Sequence, residues 1–289
     1  LADLHAHQYL LAMQPFGIQT VPLRTPTLPP ATHTNTYVVG QGKLSVFDPA
    51  TPYKDEQAQL ESILDGRIDE TVERIVLTHH HHDHVLGATS LQSFFERRGV
   101  SVPILAHPIT AKLLESVVPI DAFWLDGQTL DCGGVSMTAT HTPGHAPGHL
   151  IFQSHVDQAI IAGDMVAGTG TILIEPKDGN LALYLDSLQR MRALKPSVLL
   201  PSHGPPLIQA DEVLSMYIAH RHLRTDQIRE ALDKNGRQTP LQLAQQVYAK
   251  LPAAIHGLAA LQVESHLIWM QSNGLSIKND DQTWSPRTL

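Results

Sequence analysis

The stretch Thr78-His79-His80-His81-His82-Asp83-His84 decides the fold of this 289-residue chain. It follows the apolar run 75–77 directly and precedes Gly87 and a predicted helix. In α/β proteins, the loop at the carboxyl end of a buried strand lies in the crevice where ligands bind. A polyhistidine tag would stand at a terminus, so an internal run at a strand–helix junction predicts a functional site.

Within the run, the informative pattern is His-x-His-x-Asp-His, formed by His79, His81, Asp83 and His84. Alternate residues of an extended loop point the same way, so His79 and His81 can share one ion while Asp83 and His84 turn toward a second. The chain has 18 histidines but a single cysteine, Cys132. Thiolate zinc sites and internal disulfides are therefore excluded, and imidazole ligands are favoured.

Three further apolar runs end in residues that commonly bind metals. The predicted strand 135–139 leads to Thr142-Pro143-Gly144-His145, the strand 159–162 to Gly163-Asp164, and the strand 197–200 to Ser202-His203-Gly204. The carboxylate of Asp164, which follows the second of these strands, can bridge two cations with its two oxygens. We expect these residues to converge with the histidine run on a two-metal site.

Composition narrows the class of protein. Hydrophobic residues make up 42% of the chain and charged residues 17%, enough for a large core. No apolar run approaches the roughly 18 residues of a membrane span, so no membrane association is expected. The formal charge of -8 argues against a protein that coats nucleic acid. Residues 1–11 lack a basic segment followed by an apolar core, so we expect no signal peptide and a cytoplasmic location.

The remaining pattern alternates strands with helices and predicts an α/β fold. Strands are predicted at 36–39, 44–47, 74–77 and 104–106, and helices at 53–64, 87–98 and 184–193. Residues 23–31 contain three prolines and are predicted to be an extended connector. Domain boundaries are expected at 18–212 for a catalytic domain and 213–289 for a C-terminal one.

The C-terminal region predicts three helices and a hairpin, the element order of a winged helix. A first helix covers 214–232, and Thr239, Pro240 and Gln242 form a capping box at the start of the second. The third helix ends at Asn273-Gly274, and 275–278 and 282–285 form the hairpin. With no long linker before it, this region should dock on the main domain. Its basic segment 217–237 is either a solvated face or a contact for RNA phosphates.

The four metal-site motifs, in this order, resemble those of the metallo-β-lactamase-fold superfamily across about residues 18–210, with glyoxalase-II-like ligands. Residues 163–171, 184–188 and 217–227, with the C-terminal elements, resemble the β-lactamase-like protein 2 branch, whose studied members include single-strand endoribonucleases. The resemblance implies a four-layer αβ/βα sandwich with a small winged-helix-like domain. It also implies one metal on His79, His81 and His145, another on Asp83, His84 and His203, and Asp164 as the bridge.

A metal pair of this kind gives a hydroxide near neutral pH and polarises a scissile bond, and Asp83 can orient the hydroxide. Zinc is the expected metal, with manganese or iron as the alternative. The expected substrate is a small ester, thioester or lactone. The alternative is single-stranded RNA, which the net charge and an aromatic content of 5% disfavour. A β-lactamase or an inactive nucleic-acid-binding protein is expected less, and nothing in the sequence specifies an oligomeric state.

Three residues outside the ligand set are candidates for substrate contact. Thr169 and Thr171 follow Asp164 closely enough to line the pocket. Asn35 lies just before a predicted strand and is either a substrate contact or a turn-forming residue. His149, four residues after His145, is either a hydrogen-bond partner of the site or a packing residue.

Overall fold

Residues 17–287 are described in the computed structural model, so the segment on which the signal-peptide expectation depends lies outside them. The first half of the chain forms a six-stranded sheet in sequential order from β1 to β6. The first three strands pair antiparallel and the last four pair parallel. The strands are β1 (Ile18–Arg24), β2 (His33–Val39), β3 (Lys43–Phe47), β4 (Thr71–Val76), β5 (Ile104–Ala106) and β6 (Ala122–Phe123).

A second, five-stranded sheet has the order β11-β10-β9-β8-β7. Its strands are β7 (Thr129–Cys132), β8 (Val135–His141), β9 (Leu150–Ser154), β10 (Ile160–Gly163) and β11 (Leu199–Pro201). The inner faces of both sheets share a core in which Phe152 lies 5.0 Å from Phe47 and 4.8 Å from Trp124 between ring centroids. Burying large aromatic side chains here holds the two sheets face to face.

Helices cover the outer face of each sheet. On the first sheet these are α1 (Lys54–Asp65), α2 (His82–Val85), α3 (Ala88–Glu96) and α4 (Pro108–Leu113). Leu60 of α1 and Phe94 of α3 pack with Leu44 and Ile75 of the sheet. On the second sheet, α5 (Leu181–Ala193) and α6 (Ala210–Asn235) bury Tyr184 and Leu214. The predicted four-layer αβ/βα fold is confirmed.

The C-terminal region contains the predicted order of elements. After α6 come α7 (Pro240–Val247), a 3₁₀ turn (Ala253–Ile255), α8 (His256–Ser272) and the antiparallel pair β12 (Ser276–Lys278) and β13 (Trp284–Pro286). The capping box of Thr239 and Gln242 is present at the start of α7. Because α6 packs on α5 at one end and on α7, α8 and Trp284 at the other, it joins this region to the sandwich. Its assignment as a winged helix, and the boundary at 212/213, stay predictions.

Two strands depart from the sequence prediction. The connector predicted over 23–31 is wrong at Leu23 and Arg24, which belong to β1. β1 is an edge strand, where Pro22 is tolerated, and its polar residues hide the alternation. β9 has no counterpart among the predicted strands, although Pro147 and Gly148 stand just before it. Among residues 17–287, no helix combines the length and apolar character needed to cross a membrane.

Candidate metal centre

The histidine run places its side chains on two sides because its backbone changes conformation within it. His81 is extended, with φ -66° and ψ 145°, and α2 starts at the next residue. His79 and His81 therefore leave from extended chain, whereas Asp83 and His84 leave from one helical turn. His79 and His84 are both fully buried. The run follows β4, which pairs in parallel with β3 and β5 and so has a fixed position.

The first group of converging side chains consists of His79, His81 and His145. The Nε2 atoms of His79 and His145 lie 3.0 and 2.9 Å from Nδ1 of His81. The ligand atoms of all three residues lie within 4.8 Å of one another. This is the first predicted trio, formed by two motifs that are 64 residues apart.

The second group consists of Asp83, His84 and His203, whose ligand atoms also lie within 4.8 Å of one another. Nε2 of His203 is 3.5 Å from one carboxylate oxygen of Asp83, and Nε2 of His84 is 3.9 Å from the other. This is the second predicted trio.

Asp164 stands between the two groups. Its Oδ1 lies 3.7 Å from Nε2 of His84 and 3.4 Å from Nε2 of His203, whereas its Oδ2 lies 3.5 Å from Nε2 of His145. Each carboxylate oxygen thus faces a different group, as the predicted bridging role requires.

The donor set fits divalent cations. Among the described residues, Nε2 of His84 and Oδ1 of Asp164 are buried without a hydrogen-bond partner. Buried polar atoms in native proteins are nearly always satisfied, so two unsatisfied atoms facing each other indicate a missing partner. Nitrogen and carboxylate oxygen atoms are ligands that zinc, manganese and iron accept. These residues could therefore hold metal ions.

Hydrogen bonds outside the groups fix which imidazole nitrogen faces inward. Nδ1 of His145 lies 2.9 Å from the carbonyl oxygen of Leu173, and Nδ1 of His203 lies 3.0 Å from that of His33. A carbonyl oxygen only accepts, so both Nδ1 atoms carry the proton and donate it. The lone pairs of both Nε2 atoms therefore point into the site, in the tautomer that binds a metal.

Two carboxylates that sequence reasoning missed orient two other histidines. Oδ2 of Asp48 lies 2.9 Å from Nδ1 of His84, and Asp48 also accepts hydrogen bonds from the main chain and hydroxyl of Thr78. Oδ2 of Asp178 lies 2.6 Å from Nε2 of His81. A signal for Asp48 exists, because it directly follows β3 as the ligands follow other strands. Asp178 lies in a loop and has no such signal.

His149 supports Asp164, so the structure favours the first of its two predicted roles. Its Nε2 accepts a hydrogen bond from the main-chain N–H of Asp164 at 3.1 Å, and its Nδ1 lies 2.9 Å from the hydroxyl of Thr142. Gly163 has φ +52°, and a Cβ there would lie 2.4 Å from Nε2 of His149. Glycine at this position thus allows the close approach of the ring.

The histidines of the two groups differ in charge: burial keeps His79 and His145 neutral, whereas Asp164 raises the pKa of His84 and His203 against the effect of burial. Burial by itself raises the pKa of Asp164, but His203 and His84 outweigh it and hold that pKa well below its usual value. Burial, and then the charge of His84, lowers the pKa of His79 well below its ordinary value. Burial, followed by the effect of His81, lowers the pKa of His145 to about 4. The neutral state of His79 and His145 and the ionised state of Asp164 are those that metal binding needs, whereas a cation would displace a proton from His84 and His203.

Two of the three residues predicted to contact substrate line the cleft, and the third does not. Thr169 and Thr171 line the cleft next to the site. Asn35, predicted to be either a substrate contact or a turn-forming residue, lies within β2 and is not among the cleft-lining residues, so its contact with substrate stays a prediction. Its side-chain amide donates at 2.8 Å to the carbonyl oxygens of Pro201 and Gly204, so it holds the loop that carries His203.

The cleft has a volume of about 520 Å³ and lies between the sandwich and the C-terminal helices. Its floor includes His81, His145 and Asp164. Residues of α6 and α8 form one wall of the cleft. The sequence predicts that the C-terminal region docks on the main domain, but it does not predict this wall. Apolar lining residues include Leu28, Pro29, Ile172, Leu173, Leu251, Ile255 and Leu258.

A sandwich of two sheets with a His/Asp centre at its strand ends defines a class of metal-dependent hydrolase. The family model described as "Metallo-beta-lactamase superfamily" matches residues 29–203, and the chain belongs to this superfamily. It is 30% identical over 233 residues to the beta-lactamase-like protein 2 homolog of Caenorhabditis elegans, covering 79% of this chain and 75% of the relative. It is 28% identical over 234 residues to an atrochrysone carboxyl ACP thioesterase of Aspergillus fumigatus, covering 77% of this chain and 70% of the relative.

Solved structures share the fold over nearly the whole chain. A beta-lactamase domain protein from Burkholderia ambifaria superposes with a TM-score of 0.81 at 21% identity, covering 93% of this chain and 91% of its own. A metallo-beta-lactamase family protein from Thermus thermophilus gives a TM-score of 0.77 at 21% identity, covering 94% of this chain and 99% of its own. Both alignments extend beyond the family model into the C-terminal region.

Proposed function

We propose that this protein is a dinuclear metal-dependent thioesterase that acts on a small substrate with an apolar acyl group. The observation that carries the proposal is the position of Asp164, with one carboxylate oxygen toward His145 and the other toward His84 and His203. One carboxylate placed between two groups of ligands is the arrangement that two adjacent cations need.

His79, His81 and His145 would hold one cation, Asp83, His84 and His203 the other, and Asp164 both. When bound, such cations supply a Lewis acid for the carbonyl oxygen and lower the pKa of water enough to give a nucleophile near neutral pH. Asp83 adds a carboxylate that faces His203 and lines the cleft, where it can orient the attacking water. Asp48 and Asp178 keep His84 and His81 in the tautomers that bind metal.

The cleft wall favours a small acyl substrate over RNA. Among the described lining residues, Arg221 is the one arginine and there is no lysine, whereas four leucines, two isoleucines and three prolines line the cleft. A backbone of phosphodiesters needs a basic groove and bases need aromatic platforms, and this wall offers few of either. Apolar walls over a polar floor suit an acyl chain whose carbonyl reaches the metals. The thioesterase named among the relatives adds support for the bond type.

The experiment combines elemental analysis of the purified protein with a substrate panel. The panel holds acyl-N-acetylcysteamine thioesters, the matching oxygen esters, lactones and labelled single-stranded RNA. We expect about two equivalents of metal, zinc first, and hydrolysis of the thioesters. Asp164→Ala should lose bound metal and nearly all turnover. Asp186→Ala, at an exposed position on α5, is the control and should retain both. RNA cleavage without thioester hydrolysis would overturn the proposal.

A further inference from the structure

Arg221 is a buried guanidinium group in the wall of the cleft. It lies on α6, is 4% exposed, and lines the cleft together with the metal-site residues His81 and Asp164. Its guanidinium carbon stands 5.1 Å from the ring centroid of Tyr184. The proposed function gives no role to this charge.

The guanidinium group is incompletely satisfied. Among residues 17–287, no carboxylate lies within 4.0 Å of it, whereas Arg192 on neighbouring α5 pairs with Asp211. The acceptor found for Arg221 within this part of the chain is the carbonyl oxygen of Ile172, 2.6 Å from Nη2. Its Nε is buried with no partner in the same range of residues. A guanidinium offers five N–H donors, and burying one without an anion is costly.

Gln262 on α8 presents a second unsatisfied donor in the same wall. It is 6% exposed and lines the cleft, and its Oε1 accepts a hydrogen bond from the main-chain N–H of Ile174 at 3.0 Å. Its Nε2 amide is then left buried without an acceptor in the described part of the chain. Two buried, unsatisfied donors on adjacent helices indicate a ligand that brings its own oxygens.

The positive charge of Arg221 acts on a second residue of the cleft wall. Burial, and then the charges of Arg221 and Arg224, lowers the pKa of His220, which also lines the cleft. Glu175 is the one described carboxylate of the cleft wall that touches no histidine of the metal centre, and it makes no ion pair with Arg221. Among the described residues, Arg221 therefore keeps a positive charge without a carboxylate partner beside the cleft.

We infer that Arg221 and Gln262 form a subsite for a carboxylate on the acyl part of the substrate. A planar carboxylate matches the fork of a guanidinium, and its second oxygen can accept from a carboxamide. Because leucine, isoleucine and proline side chains also line the cleft, the substrate class is the monothioester of an aliphatic dicarboxylic acid. This inference rests on the proposed function and deepens it.

The first test measures binding without turnover. The metal-loaded full chain is titrated by calorimetry with diacids from succinate to suberate, each compared with its monomethyl ester. Both members of a pair have one carboxylate free for the metals, so their ratio isolates the second. At the chain length that spans the cleft we expect the diacid to bind about tenfold more tightly. Ratios near two at every length, the statistical value for two equivalent ends, would overturn the inference.

Variants assign the effect to Arg221. Arg221→Gln should reduce the diacid preference to about twofold, and Arg221→Lys, which keeps the charge but not the fork, should leave an intermediate value. Arg229→Gln is the control, because it removes an exposed guanidinium on the same helix, paired with Asp226, and should keep the wild-type preference. An unchanged preference for the diacid in Arg221→Gln would refute the assignment. If Arg221→Gln does not fold, an unchanged preference in Arg221→Lys would refute it instead.

Turnover then separates this inference from the proposed function. Hydrolysis of a neutral acyl thioester tests the proposed function alone. The ratio of kcat/KM for a carboxylate-ended thioester to that for its methyl ester tests the subsite, and it should fall about tenfold in Arg221→Gln. If the protein hydrolyses neutral thioesters but the kcat/KM ratio does not fall in Arg221→Gln, the proposed thioesterase activity holds and the proposed subsite is wrong.

Discussion

Nδ1 of His145 donates a hydrogen bond to the carbonyl oxygen of Leu173 over 2.9 Å, and Leu173 is held on both sides by the C-terminal helices. On one side, Arg221 of α6 donates to the carbonyl oxygen of Ile172. On the other, Gln262 and Ser265 of α8 bind the main chain of Ile174. The C-terminal region therefore helps to orient a candidate metal ligand through the segment 172–174.

Ser265→Ala should weaken metal binding at the group containing His145. Without the Ser265 hydroxyl, the segment around Leu173 loses one of its anchors and His145 loses some of its orientation. We expect the weaker of two metal dissociation constants to rise about tenfold, the low end of the range for indirect partners of a metal. Competition with a chromogenic chelator measures it.

Ser272→Ala on the same helix is the matched control. Its hydroxyl is exposed and bonds to Ile268 within α8 itself. Metal affinity should stay at the wild-type value in this variant. Equal losses in both variants would mean that the effect reflects helix stability and not the orientation of His145.

Gly163→Ala should damage the site through His149. The new Cβ would stand 2.4 Å from Nε2 of that ring, in a backbone with φ +52°. The ring must move, and the main-chain N–H of Asp164 then loses its acceptor. We expect a loss of about 2–4 kcal/mol in unfolding free energy, from strain plus an unsatisfied buried group, with a fall in bound metal. Urea denaturation and elemental analysis measure the two effects.

Gly134→Ala isolates the backbone contribution. Gly134 has φ +86°, but a Cβ added there would meet no described atom within 4 Å, so strain acts alone. The substitution should cost about 1–2 kcal/mol and leave metal content unchanged. A similar loss of metal in both variants would contradict the role given to His149.

The sequence predicted which candidate ligands lie close together because their signal is local. Each of His79, His145, Asp164 and His203 follows a strand, or the turn after one, and sheet topology then brings the strand ends together. To predict such a residue, it is enough to identify each apolar run in the sequence and the polar residues that follow it. Asp48 follows β3 in the same way and could have been found by the same rule.

The partners behind the ligands were harder to predict because they depend on tertiary contacts. Asp178 meets His81 across 97 residues, from a loop with no periodic pattern. The wall containing Arg221 and Gln262 exists only because α6 runs from the sandwich to the C-terminal core. A basic residue on a helix is more often solvated, and burial alone distinguishes Arg221 from its neighbours.

Asp48→Asn should weaken the group that contains His84. Asparagine tolerates the left-handed backbone at this position, where φ is 46°, so the main chain should be preserved. Both carboxylate oxygens of Asp48 accept hydrogen bonds, from Thr78 and His84, and a carboxamide replaces one acceptor with a donor. A donor facing Nδ1 favours the imidazole tautomer with its proton on Nε2, which blocks the metal-binding lone pair.

We expect metal affinity in Asp48→Asn to fall about 10- to 100-fold for one of two ions. Competitive chelation with zinc measures the two constants separately. Asp69→Asn, an exposed residue in the turn before β4, is the control and should bind both ions normally. Equal affinity for both ions in Asp48→Asn would show that Asp48 does not control the tautomer of His84.

The metal-free protein should be most stable near pH 6.5. Burial, and then His81, lowers the pKa of His145 to about 4, below the value of about 6.5 in the unfolded chain. The unfolded state therefore takes up a proton first, and stability falls as the pH drops from 6.5 to about 4, by up to ~3 kcal/mol for this residue. Asp164 and Asp83 overcome the effect of burial and raise the pKa of His84 well above its usual value. Its contribution is complete below pH 6.5 and is lost as the pH rises through that raised pKa.

Urea denaturation of chelator-treated protein between pH 4.5 and 8 would show this maximum. In His145→Gln the acid side of the profile should become less steep, because one of the histidines that are buried in the neutral state is gone. His155→Gln, which removes an exposed histidine, should leave the profile unchanged. Stability that rises steadily from pH 6.5 down to 5 would mean that His145 is protonated in the folded protein. A cation would then have to displace a proton from His145 before it could bind the Nε2 lone pair at neutral pH.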